Sequence, residues 1–483
     1  MDNIYKVSLE KKYRELRCKV VLILSDISAL FLSFLISCFL LHFAEGGLNR
    51  FIPQPYFTTR ILTLGFLYLL CTLWFSARLR HYSSRKPFWS ELKEILRTIV
   101  IFSIFDLALI AISKWEISRY SFVSTWLLAF ILLPVLRFTV KTILLRLNLW
   151  QRPTIIIGSS ESALNAYHAV CREKYLGLDV KGFLVTDKSY LSKHVSDDML
   201  FTEETLNLRN LSVDNCQIII ALEYNEQQEC DQYLRLTSKY GFNYVSVIPS
   251  LRGVPLYGTE LSYFFSEEIM ILKVGNNLRR LSSKIAKRSF DILGASVLLI
   301  LTCPLFLFIG YKITRDGGKA FYSHERVGRN GKKFNCYKLR SMINNSNEIL
   351  SELLANDPIA REEWEKDHKL KNDPRITSVG HFIRNTSLDE LPQLWNVIRG
   401  EMSLVGPRPI VDAELEKYGD DVIYYLMVRP GMTGLWQVSG RNDVDYERRV
   451  FFDSWYVKNW SLWNDMVILI KTINVVFKRS GAY

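Results

Sequence analysis

Four long apolar runs open the chain, near Val20 to Ala44, Ile61 to Ala77, Thr98 to Ser113 and Tyr120 to Leu136, with short polar stretches between them. A helix needs about 20 mostly apolar residues to cross roughly 30 Å of hydrocarbon. These runs are therefore expected to be transmembrane helices, the second and third either extending into their flanks to reach that length or sitting between neighbours. After Trp150 the pattern changes: short β-like runs at Thr154 to Gly158, Lys181 to Thr186, Gln217 to Leu222 and Asn243 to Ile248 alternate with helical stretches. Such alternation predicts a parallel sheet covered by helices. Pro249 to Ser283 reads as a connector with strand character, including Glu268 to Val274, and a fifth apolar segment runs from Phe290 to Tyr311.

Charge sets the orientation of the first four runs. Lys and Arg number six in the first nineteen residues, two in 45–60, six in 78–97, two in 114–119 and four in 137–152. Cytosolic loops carry the excess of positive charge, so the N-terminus, the 78–97 loop and everything after Arg137 are expected in the cytosol. The fifth segment is basic on both sides, with Lys284, Lys287 and Arg288 before it and Lys312 and Arg315 after it. Proline at 304 removes a helix hydrogen bond and clashes with the preceding turn. A helix over about 285–313 that enters the inner leaflet, breaks near Cys303-Pro304 and returns to the cytosolic side satisfies that symmetry; a fifth span with a proline kink is the other arrangement. The expected architecture is an α-helical membrane protein: four transmembrane helices over 1–150, a cytosolic Rossmann-like α/β domain over 151–275, and a monotopic α-rich domain over 276–483 with the re-entrant helix. Asp26 and Asp106 lie inside spans, where an ionised carboxylate is costly, and both a packing and a functional role are open for them.

The composition agrees: of 483 residues, 49% are hydrophobic and 13% aromatic, with a net charge of +12. That charge suits an anionic lipid surface or phosphorylated substrates. Eight scattered cysteines form no CxxC pair and read as reduced, structural thiols. No small-residue cleavage site follows the first apolar run, so it reads as a retained span rather than a signal peptide. In the middle region Gly158-Ser159-Ser160-Glu161-Ser162-Ala163 resembles a dinucleotide turn, but Ser and Ala stand where the second and third glycines belong, leaving a module that binds a nucleotide and one that binds none and serves regulation or assembly equally open.

Residues 321–441 concentrate side chains suited to phosphate oxygens: Arg326, Arg329, Lys338, Arg340, Arg375, Arg384, Arg408, Arg429 and Arg441. Nucleic acid could use such a set, but this one is tied to membrane segments, which argues against a nucleic-acid partner. Within it, Thr386-Ser387-Leu388-Asp389-Glu390-Leu391-Pro392 places adjacent carboxylates at the start of an apolar helical run. Ser387 or Thr386 is expected to cap that helix, whose N-terminus would stabilise negative charge. Acidic residues there can also simply complement the helix dipole.

These elements come with further motifs in order: Lys287-Arg288-Ser289-Phe290-Asp291, Glu325-Arg326-Val327-Gly328, Tyr337-Lys338-Leu339-Arg340-Ser341-Met342, Val405-Gly406-Pro407-Arg408-Pro409 and Arg429-Pro430-Gly431-Met432-Thr433-Gly434. From Lys284 to Tyr483 the chain resembles the monotopic phosphoglycosyl transferases, the polyprenyl-phosphate hexose-1-phosphate transferases. The N-terminal spans and middle region are similar to the long-form members, and Ser439 to Tyr446 with Asp453 to Trp460 resemble those that transfer galactose-1-phosphate at the start of O-antigen synthesis.

The resemblance implies a bacterial inner-membrane enzyme, with both termini cytosolic, that transfers galactose-1-phosphate from UDP-galactose to undecaprenyl phosphate and releases UMP. UDP-glucose is the alternative donor. It further implies Asp389 as nucleophile, Glu390 as ligand of Mg2+, Lys338, Arg340, Arg384 and Arg408 as phosphate contacts, and a homodimer. Trp455, Trp460 and Trp463, with Met466 to Ile470 after them, suit a helix lying in the membrane interface or, equally, a buried core helix. A sugar-nucleotide oxidoreductase or epimerase on the middle region would need an intact glycine fingerprint and a Tyr-x-x-x-Lys on a helix near it, and neither is found so placed. A non-catalytic scaffold remains the second rival, at odds with the carboxylate and arginine set.

Overall fold

The apolar runs form helices longer than the runs themselves. In the computed structural model these are α1 (Asp2–His42), α2 (Gln54–Leu73, continued by a π-helical turn to Arg78), α3 (Phe88–Ile112) and α4 (Arg119–Arg146). The structure describes residues 2–44, 47–185, 190–202, 216–223, 226–249, 259–263, 270–273, 277–315, 317–367, 370, 373–440 and 445–477. Among the described residues five helical segments are long and apolar enough to cross a membrane, these four and Leu281–Thr314. The chain folds as two units, Met1–Leu251 and Arg252–Tyr483.

In the first unit, the acids inside the spans pair with basic residues from other helices. Asp106 accepts both terminal nitrogens of Arg60, at 2.5 and 2.8 Å, and Trp126 Nε1 at 2.7 Å. Asp26 accepts Arg137 Nε at 2.9 Å, a second Arg137 nitrogen, and the Tyr82 hydroxyl at 2.5 Å. All four charged groups are buried. Arg60 and Arg137, counted among loop charges in the orientation argument, thus lie inside α2 and α4, and the geometry supports the packing role for both aspartates. In the loop between α2 and α3, Arg137 Nη1 lies 2.6 Å from His81 Nδ1. A guanidinium only donates, so His81 is the Nε2–H tautomer and donates to Glu94 at 2.6 Å. Burial, then Arg137, Lys86 and Lys141, drives the His81 pKa down to about 2 and keeps the ring neutral.

Removing one partner of a buried pair leaves the other charge uncompensated. Asp106→Ala is therefore expected to cost about 3–5 kcal/mol of stability, with most of it recovered in an Arg60→Met/Asp106→Leu double variant. Thermal unfolding in detergent micelles measures this, and a single variant as stable as wild type would mean that the pair carries no structural weight.

The same unit contains the expected parallel sheet: β1 (Arg152–Ile157), β2 (Leu178–Leu184), β3 (Leu200–Phe201), β4 (Gln217–Ile220) and β5 (Val245–Val247), in the order β3-β2-β1-β4-β5 with every pairing parallel. Helices α5 (Glu161–Arg172) and α6 (Gln227–Lys239) follow β1 and β4. Gly158 closes β1 at φ +147°, where a Cβ would lie 2.4 Å from the Ala221 carbonyl oxygen, so only glycine fits. Sheet and membrane helices pack together without a flexible linker. Trp150 is buried with Arg85 stacked 3.4 Å over it, and Glu15 of α1 accepts from both Arg152 and Tyr244 at 2.9 Å.

In the second unit, the connector contributes an antiparallel pair, β6 (Glu260–Tyr263) and β7 (Met270–Lys273). Helix α7 (Leu281–Thr314) carries the fifth apolar segment and remains helical through Pro304, which corrects the expected break at Cys303-Pro304: the proline costs one ladder bond there without ending the helix. It leads to the hairpin β8 (Phe321–Val327) and β9 (Lys333–Leu339), then to α8 (Ser346–Asn356), α9 (Pro358–Asp367), α10 (Ser378–Asn385) and α11 (Gln393–Arg399). The parallel pair β10 (Ser403–Val405) and β11 (Gly431–Thr433), α12 (Tyr446–Lys458) and α13 (Leu462–Phe477) complete it. The core gathers Ala295 of α7, Phe334 and Cys336 of β9, Leu394 and Val397 of α11, Leu404, Trp460 and Ile468. Trp460 is thus a core residue, donating to the buried Asp465 at 3.1 Å, and of the two roles open for this region the core one holds at that position.

Candidate active site

Alternation along β9 sends Phe334 and Cys336 into the core and carries Lys338 on the same face, where that core opens toward the two carboxylates. Asp389 and Glu390 lie in a 3-10 turn, Leu388–Glu390, entered by Ser387 in the left-handed region at φ +55°. This corrects the expected cap. Neither Ser387 nor Thr386 caps a helix over the carboxylates: Ser387 makes no capping bond, Thr386 donates back to the Phe382 carbonyl at 2.7 Å, and α11 begins only at Gln393, beyond Pro392. Proline has no N–H to join the turn to the helix ladder, so the acids sit on a separate, tighter turn.

Lys338 Nζ lies 2.8 Å from Glu390 Oε1 and 3.8 Å from Asp389 Oδ2. Burial would lower the Lys338 pKa, but Glu390 and then Asp389 outweigh it and hold it above the ordinary value. Asp389 moves the other way. Burial raises its pKa to about 6; Glu390 adds to the rise, while Lys338 and Arg384 limit it. A carboxylate poorly solvated, held by one ammonium and ionised at neutral pH is a competent nucleophile.

Arg384 stands on α10, which Thr377 caps by accepting from the Gly380 N–H at 2.9 Å. Its Nε donates to Ser341 Oγ at 2.9 Å, and its charge acts on Asp389. Arg408 occupies the turn after β10, its guanidinium 5.6 Å from the Trp436 ring centre and close enough to act on Glu390. Two glycines permit that turn: a Cβ on Gly406 would meet the Arg429 carbonyl oxygen at 2.7 Å, and one on Gly431 would meet Gly406 N at 2.1 Å. The two motifs Val405 to Pro409 and Arg429 to Gly434 are therefore halves of one close backbone contact, sealed by the Gly431 N–H donating to the Pro407 carbonyl at 2.7 Å.

The remaining basic residues are placed differently. Arg340 donates to the Ile313 carbonyl at 2.9 Å and to Asn344, tying its guanidinium to the end of α7. Arg375 is buried in a two-pronged pair with Asp373 at 2.7 and 2.6 Å. Arg326 lies 4.0 Å from Glu414, and Arg329 and Arg429 line a separate cavity. Arg441 lies outside the described residues.

Three acids that the sequence reading passed over support the site from behind. Asp291 accepts from Ser403 Oγ and the Leu404 N–H, Asp465 pairs with Lys287 at 2.8 Å, and Asp453 accepts the Tyr418 hydroxyl at 2.8 Å and the Arg408 backbone N–H. Asp291 and Asp453 lie within motifs of the chain, though without a sign of this role; Asp465 carries no local signal, because its partner Lys287 is distant in the chain.

Residues 282–479 match the family described as "Bacterial sugar transferase". The chain is 54% identical over 483 residues, the full length of both, to the undecaprenyl-phosphate galactose phosphotransferase of Salmonella typhimurium. It is 52% identical over 98% of its length, and 99% of the relative's, to the UDP-galactose-lipid carrier transferase of Erwinia amylovora. Similarity to the UDP-glucose:undecaprenyl-phosphate glucose-1-phosphate transferase of Escherichia coli is 35% over 48% of this chain and 44% of that protein.

Proposed function

The chain belongs to the bacterial sugar transferase family, and on that footing we propose that it transfers galactose-1-phosphate from UDP-galactose to undecaprenyl phosphate, through Asp389. The observation that carries the mechanism is the desolvated Asp389 carboxylate set beside Lys338 and Glu390. The galactose assignment rests on full-length likeness to two relatives named for galactose, against the partial match to the one named for glucose.

In this reading an Asp389 oxygen attacks the phosphorus that bears the sugar. The bond from that phosphorus to the bridging oxygen breaks, UMP leaves with the electron pair, and an aspartyl-phosphosugar remains. A polyprenyl phosphate oxygen then attacks the same phosphorus, forming the diphosphate and returning Asp389 as carboxylate. Lys338, Arg384 and Arg408 hold the phosphates; Arg340 serves there only by giving up its bonds at the end of α7.

Mg2+ fits the residues present. Glu390 bonds Lys338 through one oxygen, Oε1, and is partly exposed, and among the described residues no group of three or more His, Cys, Asp or Glu gathers to hold a metal by itself. That donor set suits a hard cation held by one or two carboxylates and completed by substrate phosphates. Glu390 would hold the ion, which when bound neutralises charge on the diphosphate.

The membrane reading extends to four spans and a re-entrant α7 in the bacterial inner membrane. What supports re-entry is that both ends of α7 bond to the same unit: Arg288 donates to the Val397 and Ile398 carbonyls, and the Ile313 carbonyl accepts from Arg340. Between them Leu293, Val297, Ile300, Leu301 and Leu307 are exposed. A straight helix of 34 residues would be about 51 Å long and would carry its far end across the hydrocarbon. A homodimer is part of the same reading by family likeness.

UMP release by the purified chain with undecaprenyl phosphate and Mg2+, comparing UDP-galactose with UDP-glucose, tests the function. Release with galactose alone is the expected result, and preference for glucose would overturn the assignment. The acid limb of kcat/KM should fall as pH drops through about 6, because protonation removes the nucleophilic Asp389 carboxylate. A flat profile from pH 5 to 8 would argue against that role.

A further inference from the structure

Arg329 and Arg429 belong to the set of side chains suited to phosphate oxygens, yet they line a second cavity of about 180 Å³ together with Lys284, Lys287, Arg288 and Asp291. None of Asp389, Glu390, Lys338, Arg384 and Arg408 lines it. Part of its charge is used internally. Lys287 bonds Asp465 and the Val405 carbonyl, Arg288 the Val397 and Ile398 carbonyls, and Arg429 Nε the Gly400 carbonyl at 2.6 Å.

The rest is unmatched. Lys284 is exposed without an ion pair, the Arg329 Nε is buried without a hydrogen-bond partner, and the terminal nitrogens of Arg429 have none among the described residues. Burial, then Arg288 and Arg329, lower the Arg429 pKa; the one carboxylate of the lining, Asp291, opposes this but is already engaged by Ser403 Oγ, the Leu404 N–H and Lys287.

Size and place narrow the ligand. Small-molecule pockets run to about 300–1,000 Å³, so this cavity is too small for a nucleotide sugar and suits a single phosphate group. Lys284, Lys287 and Arg288 share one face of the first turns of α7, directly before its apolar stretch. Lysine and arginine gather at that depth, opposite lipid phosphates.

We propose that this cavity is a second anion site, taking the phosphate of an inner-leaflet lipid headgroup between Arg329, Arg429 and Lys284 and so fixing the depth of α7. The lipid source rests on the membrane placement of α7 given above; the phosphate chemistry does not.

The full chain in phosphatidylcholine nanodiscs, with and without phosphatidylglycerol, tests this by native mass spectrometry. Wild type is expected to retain phosphatidylglycerol, and Lys284→Gln and Arg329→Gln each to weaken retention about fivefold, as for one surface cation. The Lys284 side chain makes no hydrogen bond or ion pair among the described residues, so its variant should melt as wild type does. In detergent, inorganic phosphate should raise the melting temperature of wild type more than that of either variant. Phosphate stabilisation without lipid retention would make soluble phosphate the ligand and would count against α7 lying at headgroup depth. Absence of both in wild type, or equal retention and stabilisation in wild type and variants, overturns the site.

Discussion

Asp389→Asn is expected to lower UMP release by at least about a thousandfold, the scale on which losing a covalent nucleophile is felt. The substitution keeps size and shape and leaves the Lys338–Glu390 pair at 2.8 Å untouched. Its amide cannot form the acyl-phosphate. Stability should hold or rise: with the folded pKa at about 6, above the usual 3.8, ionising Asp389 opposes folding fully above pH 6 and not at all below about 3.8, so the neutral amide removes a cost at neutral pH. Wild type incubated with UDP-galactose and no acceptor, then denatured, should carry one phosphosugar in its mass spectrum, and the variant none. Activity in the variant within tenfold of wild type, at normal thermal stability, would move the nucleophile elsewhere.

Lys338→Met is expected to act twice. It removes a cation from the developing charge of the displacement, worth about a hundredfold or more in kcat. It also removes the largest influence that holds the Asp389 pKa down, so the acid limb should shift upward from about 6. Activity at pH 7 should therefore fall further than activity at pH 8.5. Lys338→Arg, which keeps the charge on a bulkier head, should restore the acid limb while recovering only part of kcat. A Met variant with the wild-type acid limb would show that Lys338 does not set the ionisation of Asp389.

Much of the molecule was legible in the sequence because its signals are local. Apolar run length marked the helices, and strand alternation marked the parallel sheet, apart from the two-residue β3, which is too short to carry a period. The adjacent acids of the turn, with Lys338 in its own motif, pointed to the chemistry. Less visible was the division of labour among the arginines. Arg375 looks like Arg384 in the sequence, yet it is buried against Asp373, while Arg340 holds the end of α7.

What the sequence determined by itself, then, was where helices and strands form and which residue types could handle phosphate, since both follow from patterns spanning a few neighbours. Tertiary structure alone decided that Asp26 meets Arg137 across 111 positions and Asp106 meets Arg60, making packing pairs of residues that could have been functional. It also decided that a 3-10 turn rather than a helix cap presents Asp389, and that Arg329 and Arg429 converge on a cavity of their own. The physical reason is common to all of these. A side chain's charge, burial and partners are set by groups brought close in space, and separation along the chain carries no record of which groups those will be.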